Sequence, residues 1–246
     1  MMKIVKVNDY EELSDQAFAY LVDNIKEKDE PVVGLATGST PEGMYQRLIQ
    51  KYQNKEMSFK NVTTFNLDEY VGLHKTNEQS YYYYMYDKLF NHIDIKSENI
   101  YLPNGMATDL EQECTNFEKV LKEKGPIHVQ VLGMGVNGHI GFNEPGTPFT
   151  SRTQIVQLGE STRKSNSRFF NSVDEVPTRA ITMGIGTIME SEKVVLLVSG
   201  ENKADALARL VDGEVAEDAP ASILQHHADA TIIADAAALS KVQTAY

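Results

Sequence analysis

A single cysteine, Cys114, leaves no partner for an intramolecular disulfide and no set of thiolates for a metal. Its neighbours Leu110, Phe117, Val120 and Leu121 fall at helical spacing, so it reads as core. Basic residues are scarce: 23 Lys and Arg stand against 35 Asp and Glu, a net charge of -12. That balance argues against nucleic acid or an anionic membrane surface as partner, and an anionic ligand would need cations placed locally. No apolar run approaches a membrane span, and the opening MMKIVKVNDYEE turns polar too early for a signal peptide. The expected location is therefore the cytoplasm. No internal repeat, low-complexity tract or linker interrupts the 246 residues, which are 41% hydrophobic and 24% charged and are expected to form one α/β domain, 1–246.

Apolar strand patterns occur at 3–7, 31–36, 61–67, 99–102, 127–132, 180–183, 193–198 and 231–234. Amphipathic helices fall between most of them. Asn8 and Glu11 resemble a capping box ahead of Leu13, Ala17, Leu21 and Ile25. Thr40 suits an N-cap and Pro41 the first helical position before Met44, Leu48 and Ile49. Further helical patterns cover a tyrosine-rich stretch at 80–92, residues 109–123, a helix led by Gly200, a turn at 220–226 and an alanine-rich end. The tyrosine run reads as packing against the sheet or a neighbouring subunit, without chemistry.

Polar residues concentrate at strand ends. Residues 131–149 read VLGMGVNGHIGFNEPGTPF, an apolar strand breaking into a glycine-rich turn that carries Asn137, His139, Asn143 and Glu144. Ligands of open α/β sheets bind just beyond the carboxyl ends of strands, where these groups would lie. GMGVNG also matches a dinucleotide fingerprint, but Gly141, Pro145 and Gly146 disfavour the helix that motif requires. An ordinary structural loop is the plainer alternative. Thr37, Gly38, Ser39 and Thr40 form a turn before a helix, suited to cradling an anion or to plain capping. It is not a Walker loop, since no lysine follows in place. Asp68 and Glu69 stand at another strand's carboxyl end, as solvated or capping residues or as catalysts. The polar connection after Phe149 carries Arg152, Arg163, Lys164 and Arg168 and reads as a lid, at about residues 150–175, or as solvated surface. Lys203, in a helix's first turn against the dipole preference, hints at an anion. His226 and His227 are adjacent and cannot share a helical face as metal ligands.

Two phosphate anchors, a carboxylate and a histidine with Asn and Glu neighbours suit a sugar phosphate. The phosphate supplies remote binding energy, Asp68 is short enough to shuttle a proton between adjacent carbons, and a histidine can open a sugar ring. That chemistry calls for no metal and no cofactor, and neither is expected.

The segments GLATGSTPEGMY at Gly34, TFNLDEYVGL at Thr64, LGMGVNGHIGFNEPGTPF at Leu132, SRT at Ser151, NSRFF at Asn166 and GENKADAL at Gly200 together resemble the glucosamine-6-phosphate deaminases of the glucosamine/galactosamine-6-phosphate isomerase family. The resemblance spans nearly the whole chain. It implies an α/β, Rossmann-like, open and mainly parallel sheet with helices on both faces, and conversion of glucosamine 6-phosphate and water to fructose 6-phosphate and ammonia. By motif, Asp68 resembles the base that moves the proton from C2 toward C1. His139 resembles the ring-opening group, with Asn137 and Glu144 to orient it and tune its charge. The phosphate ligands implied are Thr37, Gly38, Ser39, Thr40, Arg168 and Lys203. Some relatives carry Asp where this chain has Asn137, which cannot share a proton, so Glu144 is expected to carry more of that duty and the pH profile to shift. Allosterically regulated relatives use an arginine soon after SRT and a longer C-terminal tail. Gln154 here and the end at Tyr246 imply no amino-sugar allostery and a monomer or small homo-oligomer. The partner implied is a small amino-sugar phosphate, with neither nucleic acid nor membrane. Rivals are a 6-phosphogluconolactonase or another phosphosugar isomerase, a non-enzymatic sugar-phosphate sensor and, more distantly, a dinucleotide oxidoreductase.

Overall fold

The computed structural model describes residues 2–244. Strands and helices alternate in the order β1 (Lys3–Val7), α1 (Tyr10–Ile25), β2 (Val32–Leu35), α2 (Glu42–Gln53), β3 (Thr63–Asn66), β4 (Asp68–Tyr70), α3 (Tyr81–Lys88), β5 (Ile100–Tyr101), α4 (Leu110–Lys124) and β6 (Val129–Gly133). They continue with β7 (Gln154–Gln157), α5 (Glu160–Asn166), β8 (Arg179–Thr182), α6 (Ile185–Met189), β9 (Val194–Val198), α7 (Ala204–Asp212) and β10 (Ala230–Asp235). Seven strands form one sheet in the order β1-β10-β9-β6-β2-β3-β5, with every pair parallel.

A parallel sheet must be covered on both faces, which is why β2, β9 and β10 are buried along their whole length. Successive side chains point to opposite faces. Val131, Val195 and Ile233 thus join Leu13, Ala17 and Leu21 of α1 and Met44 and Leu48 of α2. Leu132, Leu196 and Ile232 pack on the other face with Phe117 of α4 and Leu207 of α7. Each Val, Leu, Ile, Phe or Met among them gains about 1.5–3 kcal/mol on burial, so the amphipathic helices are held by the sheet more than by their own propensity.

The details at helix ends differ from the sequence reading. Asp9, not Asn8, caps α1: its Oδ1 accepts the Glu12 N–H at 2.9 Å, while Glu12 reaches back to the Asn8 N–H at 2.8 Å. α2 starts at Glu42, with Pro41 in the cap position and no side-chain cap, so Thr40 stays in the turn before it. The alanine-rich end forms hydrogen-bonded turns rather than a helix. Asp235 takes the Ala238 N–H at 2.8 Å there, and the stretch is shorter than the roughly 12–15 residues a lone helix needs.

A second sheet, β4-β8-β7, is antiparallel throughout. Its strand β7 lies inside the segment read as a polar connection, and the strand pattern at 180–183 belongs here rather than to the main sheet. QIVQ is four residues long and none of them is fully buried, so its pattern carries little periodic signal.

Candidate active site

From β2 the chain winds outward through β3 to β5, and from β6 it winds the other way through β9 to β10. Adjacent strands whose crossovers run in opposite directions leave a crevice at their carboxyl ends. A cavity of about 550 Å³ opens there, and the turn after β2, the turn after β6 and β4 all contribute to its wall. Thr37, Gly38, Ser39 and Thr40 line one side; Asp68, Asn137, His139, Arg168 and Lys203 line the rest. Of the residues that the resemblance assigns to the site, only Glu144 is not a lining residue; it lies behind His139, and Asn143 is buried beneath the turn with its Nδ2 donating to the Ile140 and Met183 carbonyls.

Asp68 enters because the chain leaves β3 after Leu67 and turns into the second sheet, where Asp68 pairs with Thr182. Only 6% exposed, it accepts no hydrogen bond from a described residue. Burial pushes its carboxyl up to about 8, and the charge of Glu69 adds to the effect. Glu69 is as deeply buried but fully engaged: it accepts the N–H groups of Tyr70 at 2.8 Å, Tyr81 at 3.0 Å and Tyr82 at 2.8 Å. Burial raises it to about 7, against these three bonds, which favour its charged form. Of the two readings for this pair, Glu69 takes the capping one, on the first turn of α3, and Asp68 stands bare in the cavity.

His139 lies flat on Gly135: a Cβ at that glycine would come within 2.2 Å of the ring's Cε1, so any larger residue would displace the imidazole. The Gly135 N–H donates to the His139 carbonyl at 2.9 Å, closing the turn. Burial lowers the His139 pKa, Glu144 opposes that, and the nearby positive charge of Lys203 adds to it. Glu144 Oε2 lies 3.8 Å from His139 Nδ1. That oxygen accepts Asn137 Nδ2 at 2.7 Å, and Oε1 accepts the Thr162 hydroxyl. Asn137 therefore bonds Glu144 rather than the imidazole, and its Oδ1 receives the His139 backbone N–H at 3.2 Å.

The turn after β2 is held from outside. Tyr45 OH donates to the Ala36 carbonyl at 2.5 Å, Tyr84 OH to that of Gly38 at 2.6 Å and Tyr10 OH to that of Ser39 at 2.9 Å. Gly38 has φ +90°, a conformation L side chains resist. The N–H groups of residues 37–40 donate to no acceptor among the described residues, the arrangement an oxyanion requires. Burial and the positive charge of Arg168 both lower the Lys203 pKa, so two neighbouring cations complete the anion's surroundings. Lys203 sits in a short 3₁₀ turn, Glu201–Lys203, and caps α7 rather than lying within it.

A family model described as glucosamine-6-phosphate isomerases/6-phosphogluconolactonase matches residues 8–233. A glucosamine-6-phosphate deaminase of Oceanobacillus iheyensis is 57% identical over 241 residues, 98% of this chain and 96% of that protein. Glucosamine-6-phosphate deaminase 1 of Bacillus subtilis is 50% identical over 239 residues, 97% of this chain and 99% of its own. The chain belongs to the glucosamine-6-phosphate isomerase/6-phosphogluconolactonase family. Among solved structures of similar fold, a monomeric glucosamine-6-phosphate deaminase superposes with a TM-score of 0.96 at 50% identity, covering 98% of this chain and 100% of that one. A 6-phosphogluconolactonase from Trypanosoma brucei reaches 0.83 at 17% identity, covering 99% of each chain, which speaks to the fold alone.

The sequence reading of this family member missed the tyrosines. Tyr81 and Tyr84 line the cavity, and Asn166 Nδ2 donates to Tyr70 OH at 2.8 Å from the segment that carries Arg168. The i, i+3 spacing of Tyr81 and Tyr84 behind the cap Ser80 was the available signal, since it puts both on one helix face. Among the described residues no three His, Cys, Asp or Glu side chains group as metal ligands, and no helix is long and apolar enough to cross a membrane.

Proposed function

We propose that this family member converts glucosamine 6-phosphate and water to fructose 6-phosphate and ammonia. The observation that carries the reading is the near full-length identity of 57% to a glucosamine-6-phosphate deaminase, combined with a cavity that both Asp68 and His139 line. The phosphate sits against the free N–H groups of residues 37–40, with Arg168 and Lys203 neutralising it. Its binding energy holds the sugar carbons over Asp68.

His139 begins the reaction. Its lowered pKa keeps the imidazole neutral near neutral pH, so it accepts the anomeric hydroxyl proton and returns it to the ring oxygen, opening the pyranose. Asp68 then takes the C2 proton and delivers it to C1, while one amino-group proton passes to the C1 oxygen, which becomes a hydroxyl, leaving an imine at C2. Water adds to that imine, and ammonia leaves as the ketone forms. Asp68 must be ionised to act, and the substrate's ammonium group favours this by offsetting the burial that raises its pKa. Glu144 stabilises the imidazolium while His139 holds the proton. Of the segment 150–175, the part beyond β7, with α5 and the turn that bears Arg168, acts as a lid over the bound sugar, while β7 itself is fixed in the second sheet. The protein works as a monomer or small homo-oligomer in the cytoplasm, in keeping with the monomeric deaminase it resembles.

The test measures ammonia and fructose 6-phosphate released from glucosamine 6-phosphate. Equimolar products from the wild type, abolished in Asp68→Asn and strongly reduced in His139→Gln, are expected. A folded wild type that binds the sugar phosphate without turnover would remove the reading.

A further inference from the structure

One of Glu144's two oxygens is held from outside the loop 137–144 that carries it and His139. The donor is Thr162 on α5, the one buried residue of a helix whose other positions are partly or fully exposed. Its hydroxyl meets Glu144 Oε1 while Asn137 meets Oε2. Gly159, where α5 begins, lies so close that a Cβ there would come within 3.3 Å of the same carboxylate. This buried hydroxyl makes no other hydrogen bond among the described residues, and it meets the carboxylate behind the imidazole, which is more than a helix-packing contact.

We infer that Thr162 is a positioning residue: its hydroxyl fixes the Glu144 carboxylate behind His139 and ties that pair to the position of the segment carrying Arg168. This rests on the deaminase reading. Arg168 follows Thr162 by less than two helical turns, and Asn166 between them is anchored on Tyr70. The segment that presents Arg168 to the cavity is therefore the same one that holds Thr162 on Glu144. Without the hydroxyl, Oε1 loses its donor, and the carboxylate is free to rotate about its terminal torsion, away from the arrangement in which Oε2 lies 3.8 Å from His139 Nδ1. Asn137 alone cannot prevent this, since it grips a single oxygen.

The experiment compares Thr162→Val, which keeps the side-chain shape and removes the hydroxyl, with Thr162→Ser, which keeps the hydroxyl. Steady-state deamination of glucosamine 6-phosphate is followed alongside the His139 Cε1–H proton resonance, assigned by its absence from His139→Gln. For Thr162→Val we expect kcat to fall about tenfold or more with KM within about twofold of the wild type, and the His139 resonance to move. For Thr162→Ser both should stay near the wild type. Equal loss in the two variants would assign the effect to packing of the Thr methyl, and an unchanged kcat and resonance in Thr162→Val would overturn the inference. If Thr162→Val does not fold, Thr162→Ala against Thr162→Ser makes the same comparison. A wild type that releases no ammonia would sink the deaminase reading instead, and the His139 resonance would still decide the role of Thr162.

Discussion

Asp68→Asn should both stop the reaction and stabilise the protein, in a way that depends on pH. In the unfolded chain an Asp loses its proton near 3.8, whereas the folded state holds that of Asp68 to about 8. Between those values the folded state binds the extra proton, so stability falls as pH rises across the window, by about 1.4 kcal/mol per pH unit. Asparagine has nothing to titrate. From about pH 5 to about pH 8 the variant should therefore gain about 4 kcal/mol on the wild type. For a chain of this size, about 2–4 °C per kcal/mol, the gap in melting temperature should widen by about 8–16 °C. Glu69 titrates in the same range but is present in both proteins, so most of its contribution cancels in the difference. Thermal melts of both proteins across this pH range, with deamination measured in parallel, make the assay. A gap that stays constant with pH would show that Asp68 is not held protonated by burial, and the account of its chemistry would fall with it.

Three further perturbations have definite outcomes. Lys203→Met should raise the KM for glucosamine 6-phosphate about tenfold or more, and should raise the His139 pKa, since Lys203 now helps to lower it; steady-state kinetics and a histidine proton titration read the two effects. Gly135→Ala should place a methyl where the His139 ring lies, costing roughly 1–3 kcal/mol of stability and most of the activity, while Gly133→Ala, with nothing within 4 Å of its added Cβ, should be milder in both. Tyr84→Phe frees the Gly38 carbonyl and should weaken competitive inhibition by inorganic phosphate with little change in kcat; an unaltered inhibition constant would show that the tether does not shape the turn.

Much of the chain was legible because its signals are local. Leu13, Ala17, Leu21 and Ile25 mark a helix by spacing, VVLLV marks a covered strand by its unbroken apolar run, and glycines beyond β6 mark a turn that cannot continue as a helix. The same locality explains the errors. Asp9 rather than Asn8 as the α1 cap, and turns in place of a last helix, were settled by small energy differences that a short pattern does not resolve. The strand β7 was invisible because its one partner, β8, is not its neighbour in sequence and its four residues alternate weakly.

The sequence by itself determined the inventory: which strand ends bear Asp68, His139 and the Thr37 to Thr40 turn, and which cations are available to an anion. Tertiary structure decided what each group can do, because ionisation and orientation depend on neighbours far away along the chain. Adjacent carboxylates became a helix cap and a bare acid only when α3 packed over β4. A surface-looking threonine at position 162 became a ligand of Glu144 only when α5 docked against the loop after β6. Three tyrosines from three helices hold the carbonyls of Ala36, Gly38 and Ser39 and so fix the turn that presents its N–H groups to the cavity. Burial and hydrogen bonding act through space, and no spacing along the chain encodes them.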